Sequence, residues 1–169
     1  LIIYTGVYFD PKDSIFQARS QIWFKTFDNA RDLGIKVVVR NDGGLPPDML
    51  ERIKAYENIT IVDKDPSVEN TLGSGRREAL QRAIEIANQE GIEKPIFLWI
   101  EPEKDDFVTE KVLSPMIDEI RAGSNIVVAE RKKEAWEQLP EFQCWMERRA
   151  NKRANELAAK ATGGNIPNL

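Results

Sequence analysis

The sequence contains no histidine in its 169 residues and only one cysteine, Cys144. Without histidine, neither a Ser-His-Asp triad nor a Cys-His pair can be built, and zinc sites with histidine ligands are excluded too. A single cysteine cannot form an internal disulfide, and no histidine is present to activate its thiol. We interpret Cys144 as a small buried hydrophobe, so any chemistry must use carboxylates, lysines, arginines, hydroxyls and backbone amides.

The sequence also lacks an excess of positive charge. It has 24 Lys and Arg residues against 28 Asp and Glu residues, which gives a net charge of −4. An acidic chain lacks the basic face that neutralises phosphates, so no nucleic-acid partner is expected. No apolar run approaches the length of a membrane span. We therefore expect a cytoplasmic protein with one domain over residues 1–169, a length that suits a single hydrophobic core.

What the sequence does contain is an alternation of short β-branched runs and segments of helical period. Strands are predicted over residues 1–7, 35–39, 59–62, 96–100 and 125–129. Helices are predicted over residues 15–33, around Met49, from Ala79 to Gly91, over 110–122 with a restart or kink at Pro115, and over 140–162. This order predicts an α/β fold, a mostly parallel sheet with helices on both faces. Ligands of such sheets bind beyond the carboxyl ends of the strands.

Polar residues follow the first two predicted strands at that edge. Asp10 precedes Pro11 and is interpreted first as a helix N-cap. The segment Asn41-Asp42-Gly43-Gly44 has turn composition, although its carboxylate at the ligand-binding edge could also accept hydrogen bonds from a base or ribose. For these residues alone, the structural interpretations are favoured.

The third predicted strand is followed by Gly73-Ser74-Gly75, interpreted as a loop that opens a helix with Arg76 and Arg77 in its first turn. A helix N-terminus attracts phosphate, and arginine adds bidentate contacts to phosphate oxygens. Because cations in a first turn oppose the helix dipole, they are mildly unfavourable unless an anion binds.

The fourth predicted strand leads into Glu101-Pro102-Glu103-Lys104-Asp105-Asp106, which places four acids in six residues. A hard cation such as Mg²⁺ or Mn²⁺ would relieve their repulsion. A solvated loop, with Asp105 or Asp106 capping the next helix, explains the cluster equally well.

The long C-terminal segment is expected to turn its large apolar side chains inward, namely Phe142, Trp145, Met146 and Leu157. Its other face carries four cations, Arg148, Arg149, Lys152 and Arg153. Such a face is usually solvated, and contact with a partner or an anionic membrane surface over residues 148–153 is the alternative.

Taken in order, these motifs resemble the GT-A glycosyltransferases of the family-two type, which include dolichyl-phosphate sugar synthases and mannosylglycerate-synthase-like enzymes. The resemblance covers nearly the whole chain and rests on Gly6-Val7-Tyr8-Phe9-Asp10, Asn41-Asp42-Gly43-Gly44, the glycine-rich segment from Gly73 to Leu80, Glu101-Pro102-Glu103 and Ala129-Glu130-Arg131. The sequence departs from the family at Asn41, where an acid is usual, and at Glu101 and Glu103, where the metal motif has aspartates.

The resemblance implies a site for a nucleotide-diphosphate sugar. Tyr8 and Asp10 would line the nucleotide pocket, Asp42 would touch the base and Arg76 would support the base or diphosphate. Glu101 and Glu103 would hold the ribose and an Mg²⁺ or Mn²⁺ ion, and Arg131 would also bind the nucleotide sugar.

The implied activity is transfer of a sugar from that donor to a hydroxyl acceptor. The catalytic base of the family lies later in its domain, so we expect the C-terminal acceptor part to be missing here. One alternative is a catalytically silent binding or scaffold module of the same fold. A sugar nucleotidyltransferase is less favoured, because its glycine-rich segment normally follows the first strand.

Overall fold

A computed structural model describes residues 1–8, 10, 12–65, 67, 71–127, 137 and 140–162. The chain divides into two compact units, Leu1–Arg121 and Ala122–Leu169. The expectation of a single domain over residues 1–169 stays a prediction.

The first unit is an α/β sheet structure. Its strands are β1 (Ile2–Val7), β2 (Lys36–Asn41), β3 (Ile59–Asp63) and β4 (Phe97–Trp99), and its helices are α1 (Phe16–Asp32), α2 (Pro47–Lys54), α3 (Leu72–Gln89) and α4 (Glu110–Arg121), with a 3₁₀ turn at Asp105–Phe107. All strand pairs are parallel, in the order β3-β2-β1-β4. The prediction of a parallel α/β sheet is therefore confirmed.

Side chains alternate between the two faces of the sheet, and helices cover both. On one face, Ile3, Val37 and Val39 belong to a core that includes the aromatic side chains of α1. On the other face, Ile2 and Val38 pack with the small residues of α3, namely Ala79, Ala83 and Ala87. Alanines at every fourth position let α3 approach the strands closely, which brings its first turn to the carboxyl edge of the sheet.

Several element boundaries differ from those predicted. β2 continues through Arg40 and Asn41, because both residues pair with the neighbouring strands β1 and β3. α1 begins at Phe16, so Asp10 is not its N-cap; instead the Asp10 carboxylate accepts a hydrogen bond from the Lys12 N–H at 2.9 Å. α4 continues through Pro115 as one helix and does not restart there.

The fourth and fifth predicted strands also need correction. β4 spans only Phe97–Trp99 and is half-buried, because among the strands described it pairs only with β1. Residues 125–127 of the fifth predicted strand are not in a strand, and residues 128 and 129 lie outside the described part of the chain.

The second unit contains the predicted long helix, α5 (Glu141–Thr162). The prediction that its large apolar side chains face inward is wrong, since those of Phe142, Trp145, Met146 and Leu157 are exposed. Cys144 is half-buried rather than buried. The basic residues Arg148, Arg149, Lys152 and Arg153 are exposed, and their contact with an anionic surface stays a prediction. No helix in the described ranges has both the length and the apolar content to cross a membrane.

Candidate functional site

The strand order places a crevice at the carboxyl edge of the sheet. The chain runs from β1 through β2 to β3 in one direction, and β4 then returns to the opposite side of β1. In parallel sheets, ligands bind outside the carboxyl ends at such a reversal. A pocket of about 150 Å³ lies there, between the ends of β1 and β4 and the first turn of α3.

Five of the residues predicted from the sequence line this pocket, namely Tyr8, Asp42, Arg76, Glu101 and Glu103. Asp10 is not among the lining residues. Arg131 lies outside the described residues, so the structure does not place it. Segments separated by up to 95 positions in the chain thus meet at the carboxyl edge of the sheet. That these residues bind a nucleotide sugar stays a prediction.

Asp42 lines the pocket and also forms an ion pair with the buried side chain of Arg40. In this ion pair the Asp42 carboxylate contacts the guanidinium of Arg40, whose side chain is only 1% exposed. On its other side, Arg40 Nε donates to Glu78 Oε2 at 3.0 Å. A buried guanidinium needs such partners, because an uncompensated buried charge costs about 3–5 kcal/mol. Asp42 therefore has a structural partner in addition to its place at the pocket wall.

Two glycines make room for this ion pair. A Cβ on Gly75 would lie 2.8 Å from Arg40 Nη1, and one on Gly6 would lie 2.8 Å from Asp42 Oδ2. Gly75 is inside α3, so the prediction of a glycine-rich loop before the helix is wrong. The helix begins earlier because Thr71 and Ser74 form a capping box, in which each side chain accepts from the backbone N–H of the other.

Arg76 projects over an aromatic ring at the pocket wall. Its guanidinium carbon lies 4.5 Å from the centroid of the Trp99 ring, a cation–π distance. Arg76 Nη2 also donates to Glu101 Oε1 at 3.2 Å, and both side chains are about half exposed. Its Nε–H is buried and has no hydrogen-bond acceptor among the described residues.

Glu103 is held more firmly than Glu101. Arg19 on α1 donates to Glu103 Oε1 through Nε at 2.8 Å and through Nη2. The third arm of the same guanidinium donates to Asp13 Oδ2 at 2.9 Å. These hydrogen bonds, with the one to Glu103 contributing most, raise the pKa of Arg19 above its ordinary value.

Hydrogen bonds and an ion pair from α1 hold the acidic segment that follows β4. The Thr26 hydroxyl donates to the Pro102 carbonyl at 2.7 Å, and Asn29 donates to the Asp105 carbonyl at 3.0 Å. Lys25 pairs with the Asp105 carboxylate, which lowers the pKa of that carboxyl group. The segment is therefore held in place at the pocket, although Glu101, Lys104 and Asp106 remain exposed to solvent.

The two glutamates of the predicted metal motif each have an arginine partner. Within the described residues, no group of three or more Asp, Glu, His or Cys side chains could hold a metal ion. In this arrangement Glu101 and Glu103 fit guanidinium groups better than a shared Mg²⁺ or Mn²⁺ ion, and the metal site stays a prediction.

Three residues that line the pocket lie outside all of the motifs on which the resemblance rests, namely Arg19, Trp23 and Trp99. Trp23 is 1% exposed, and its Nε1–H has no acceptor in the part of the chain that the structure describes. Buried donors are normally hydrogen-bonded, so this indole N–H is a polar group in an otherwise apolar part of the pocket wall. Trp99 was visible as the aromatic residue at the end of a strand, whereas Arg19 follows a helical pattern that predicts only a surface position.

Comparison of the chain with protein-family models, with curated proteins and with solved structures finds no match. The geometry of the pocket and the resemblance in the sequence are therefore the indications of function that this chain offers.

Proposed function

We propose that this chain is the donor-binding domain of a GT-A-type glycosyltransferase, which moves a sugar from a nucleotide-diphosphate donor to a hydroxyl acceptor. The observation that carries the proposal is the position of Arg76. It lies at the strand-order reversal of a parallel sheet, stacked on Trp99 and beside a pocket lined by Tyr8.

Each part of this pocket suits a part of the donor. The exposed ring of Tyr8 (58% exposed) offers a flat apolar surface for a base or sugar. Arg76 provides a planar set of donors that matches phosphate oxygens in bidentate geometry. The Asp42 carboxylate can accept hydrogen bonds from base or ribose while Arg40 holds its position.

Sugar transfer breaks the bond between the anomeric carbon and the diphosphate oxygen and joins the anomeric carbon to the acceptor oxygen. Negative charge then grows on the departing diphosphate, and a nearby guanidinium stabilises it. In this chain that role falls to Arg76. The acceptor hydroxyl must lose its proton to a base, and we assign none of the described residues to that step.

A second candidate is a catalytically silent binding module. It is favoured by the ion pairs that engage Asp42, Glu101 and Glu103, because each of these carboxylates already has a cationic partner. A sugar nucleotidyltransferase is less well supported, since the glycine-rich segment Gly73-Ser74-Gly75 lies in α3, after β3 and not after β1.

Calorimetric titration with UDP, GDP and their sugar conjugates tests the proposal. We expect one nucleotide to bind, and Arg76→Gln to reduce its affinity by about tenfold or more, because a charged hydrogen bond to phosphate contributes about 1.5–3 kcal/mol. Arg82→Gln is the matched control, since Arg82 is a half-exposed arginine on α3 that pairs with Glu85 at 3.0 Å, and Arg82 does not line the pocket.

The outcomes separate the candidates. Binding followed by release of nucleoside diphosphate when acceptor alcohols are added supports the transferase. Binding without turnover of any sugar nucleotide supports the silent module. Absence of binding by a chain that unfolds cooperatively would contradict both.

A further inference from the structure

We propose that Glu101 is a displaceable counter-ion of Arg76, and that the donor diphosphate takes its place without a divalent cation. This inference rests on the proposed function, because it concerns the same pocket. It assigns Glu101 the opposite role from a metal ligand.

The first support is that the position of Arg76 does not depend on Glu101. The Arg76 guanidinium lies over the Trp99 ring, with 4.5 Å between Arg76 Cζ and the ring centroid. Among the residues that the structure describes, Glu101 accepts a hydrogen bond from one nitrogen, Arg76 Nη2, at 3.2 Å. If the carboxylate left, the stacked guanidinium would remain where it is.

The second support is the difference between Glu101 and the other acids of the pocket. The Glu101 side chain is 50% exposed, whereas that of Glu103 is 20% exposed and accepts two hydrogen bonds from Arg19. Asp42 is paired with a buried guanidinium. A half-exposed ion pair contributes little, so Glu101 can turn into water at small cost while Glu103 and Asp42 stay paired.

The third support is the set of donors that this pocket leaves unmatched. Arg76 Nε–H and Trp23 Nε1–H are both buried and have no acceptor within the ranges described, and both residues line the pocket. A diphosphate brings several acceptor oxygens, and its pairing with a guanidinium uses two parallel hydrogen bonds. The exchange of carboxylate for phosphate therefore increases the number of bonds on Arg76.

The two roles for Glu101 predict effects of opposite sign. A metal ligand that loses its charge weakens nucleotide binding, because the cation is no longer held. A competing counter-ion that loses its charge strengthens binding, because the phosphate no longer has to displace it. Glu101→Gln keeps the size of the side chain and removes the charge.

The experiment is calorimetric titration of the full chain with UDP and with GDP, in EDTA and again in Mn²⁺. We expect Glu101→Gln to bind the preferred nucleotide about fivefold more tightly than wild type in EDTA, the factor that corresponds to about 1 kcal/mol for an exposed ion pair. Manganese should leave both affinities unchanged. Glu85→Gln is the control, because it removes the same charge from the Arg82 ion pair on α3.

Three results would overturn the inference. Binding that requires Mn²⁺ and weakens in Glu101→Gln would restore Glu101 to a metal site and leave the proposed function standing. Equal affinity of wild type and Glu101→Gln would show that the carboxylate does not compete. No binding of either nucleotide to either protein, with cooperative unfolding of both, would remove the inference and the proposed function together.

Discussion

Arg40 and Arg76 lie at the same edge of the sheet but serve different purposes. Arg40 is buried between Asp42 and Glu78, and its single positive charge is paired with both carboxylates. Arg76 is half exposed and retains a buried N–H without an acceptor in the described structure. Removal of Arg40 should therefore destabilise the fold, whereas removal of Arg76 should mainly affect ligand binding.

Gly75→Ala is expected to destabilise the protein by about 1–3 kcal/mol, the usual cost of overpacking. The new Cβ would lie 2.8 Å from Arg40 Nη1 and 3.0 Å from Arg40 Cδ, and this arginine cannot move because two carboxylates hold it. Chemical denaturation measures the change in the free energy of unfolding.

The matched control is Gly73→Ala in the same helical turn. Its Cβ would lie 3.4 Å from the end of the exposed Arg77 side chain, so no rigid group is displaced. We expect this variant to be neutral or more stable by up to about 1 kcal/mol, since alanine favours the helix. Equal losses in the two variants would contradict the close approach of Arg40 to α3.

Pocket residues that follow a strand could be predicted from the sequence, because ligands bind beyond the carboxyl ends of parallel strands. Residues whose partners are distant in the chain could not. Tyr8, Asp42 and Glu101 each come near the end of a strand, so the edge rule alone brings them together. The predicted strand ended at residue 39 because the segment from Arg40 to Gly44 has the composition of a loop. Nothing local indicates that Arg40 is buried or that Glu78 is its partner.

At the scale of elements, α1 positions the acidic segment that follows β4. Thr26, Asn29 and Lys25 each contact this segment, and Arg19 joins them at the pocket. These four contacts, all from one face of α1, hold the acidic segment, although its composition alone predicts a solvated loop. The period of α1 was evident in the sequence, but the polar residues on its edge gave no indication of what they bind.

Asp105→Asn should destabilise the protein at neutral pH and have little effect in acid. Lys25 lowers the pKa of the Asp105 carboxyl below its ordinary value of 3.8, so the folded state favours the ionised form. The stability from this group is present above pH 3.8 and is lost as the pH falls through the lowered pKa of the folded state. Urea midpoints at pH 7 and near pH 2 measure this difference.

Asp118→Asn, at an exposed position on α4, controls for the change in net charge. Its urea midpoint should match that of wild type at both pH values. If Asp105→Asn were equally destabilising near pH 2, the loss would have to come from packing and not from the ion pair.

At the scale of the whole molecule, the core and the pocket fall in one unit. Every buried apolar residue that the structure describes lies between Ile2 and Leu113, and the pocket residues lie between Gly6 and Glu103. The alternation of strands and helices predicted this sheet, since parallel pairing follows from the chain order. The exposure of the apolar side chains on α5 could not be predicted, because a helical period does not say whether a partner surface exists.

A chain shortened to residues 1–121 is therefore expected to fold and to keep the affinity of the full chain for its nucleotide within about twofold. The buried apolar residues that the structure describes all lie within residues 1–121, so the shortened chain keeps the apolar surface that they bury. Thermal unfolding and calorimetric titration of both chains provide the comparison.

The same comparison tests whether Arg131 binds the nucleotide sugar, which is the role that the resemblance implies for it. If the shortened chain unfolds cooperatively but binds its nucleotide more weakly, Arg131→Gln in the full chain should reproduce the loss, because one guanidinium would account for it. If the shortened chain binds as well as the full chain, the donor site is complete within residues 1–121 and Arg131 is not part of it. A shortened chain that fails to fold would contradict the independence of the first unit and support a single domain over residues 1–169.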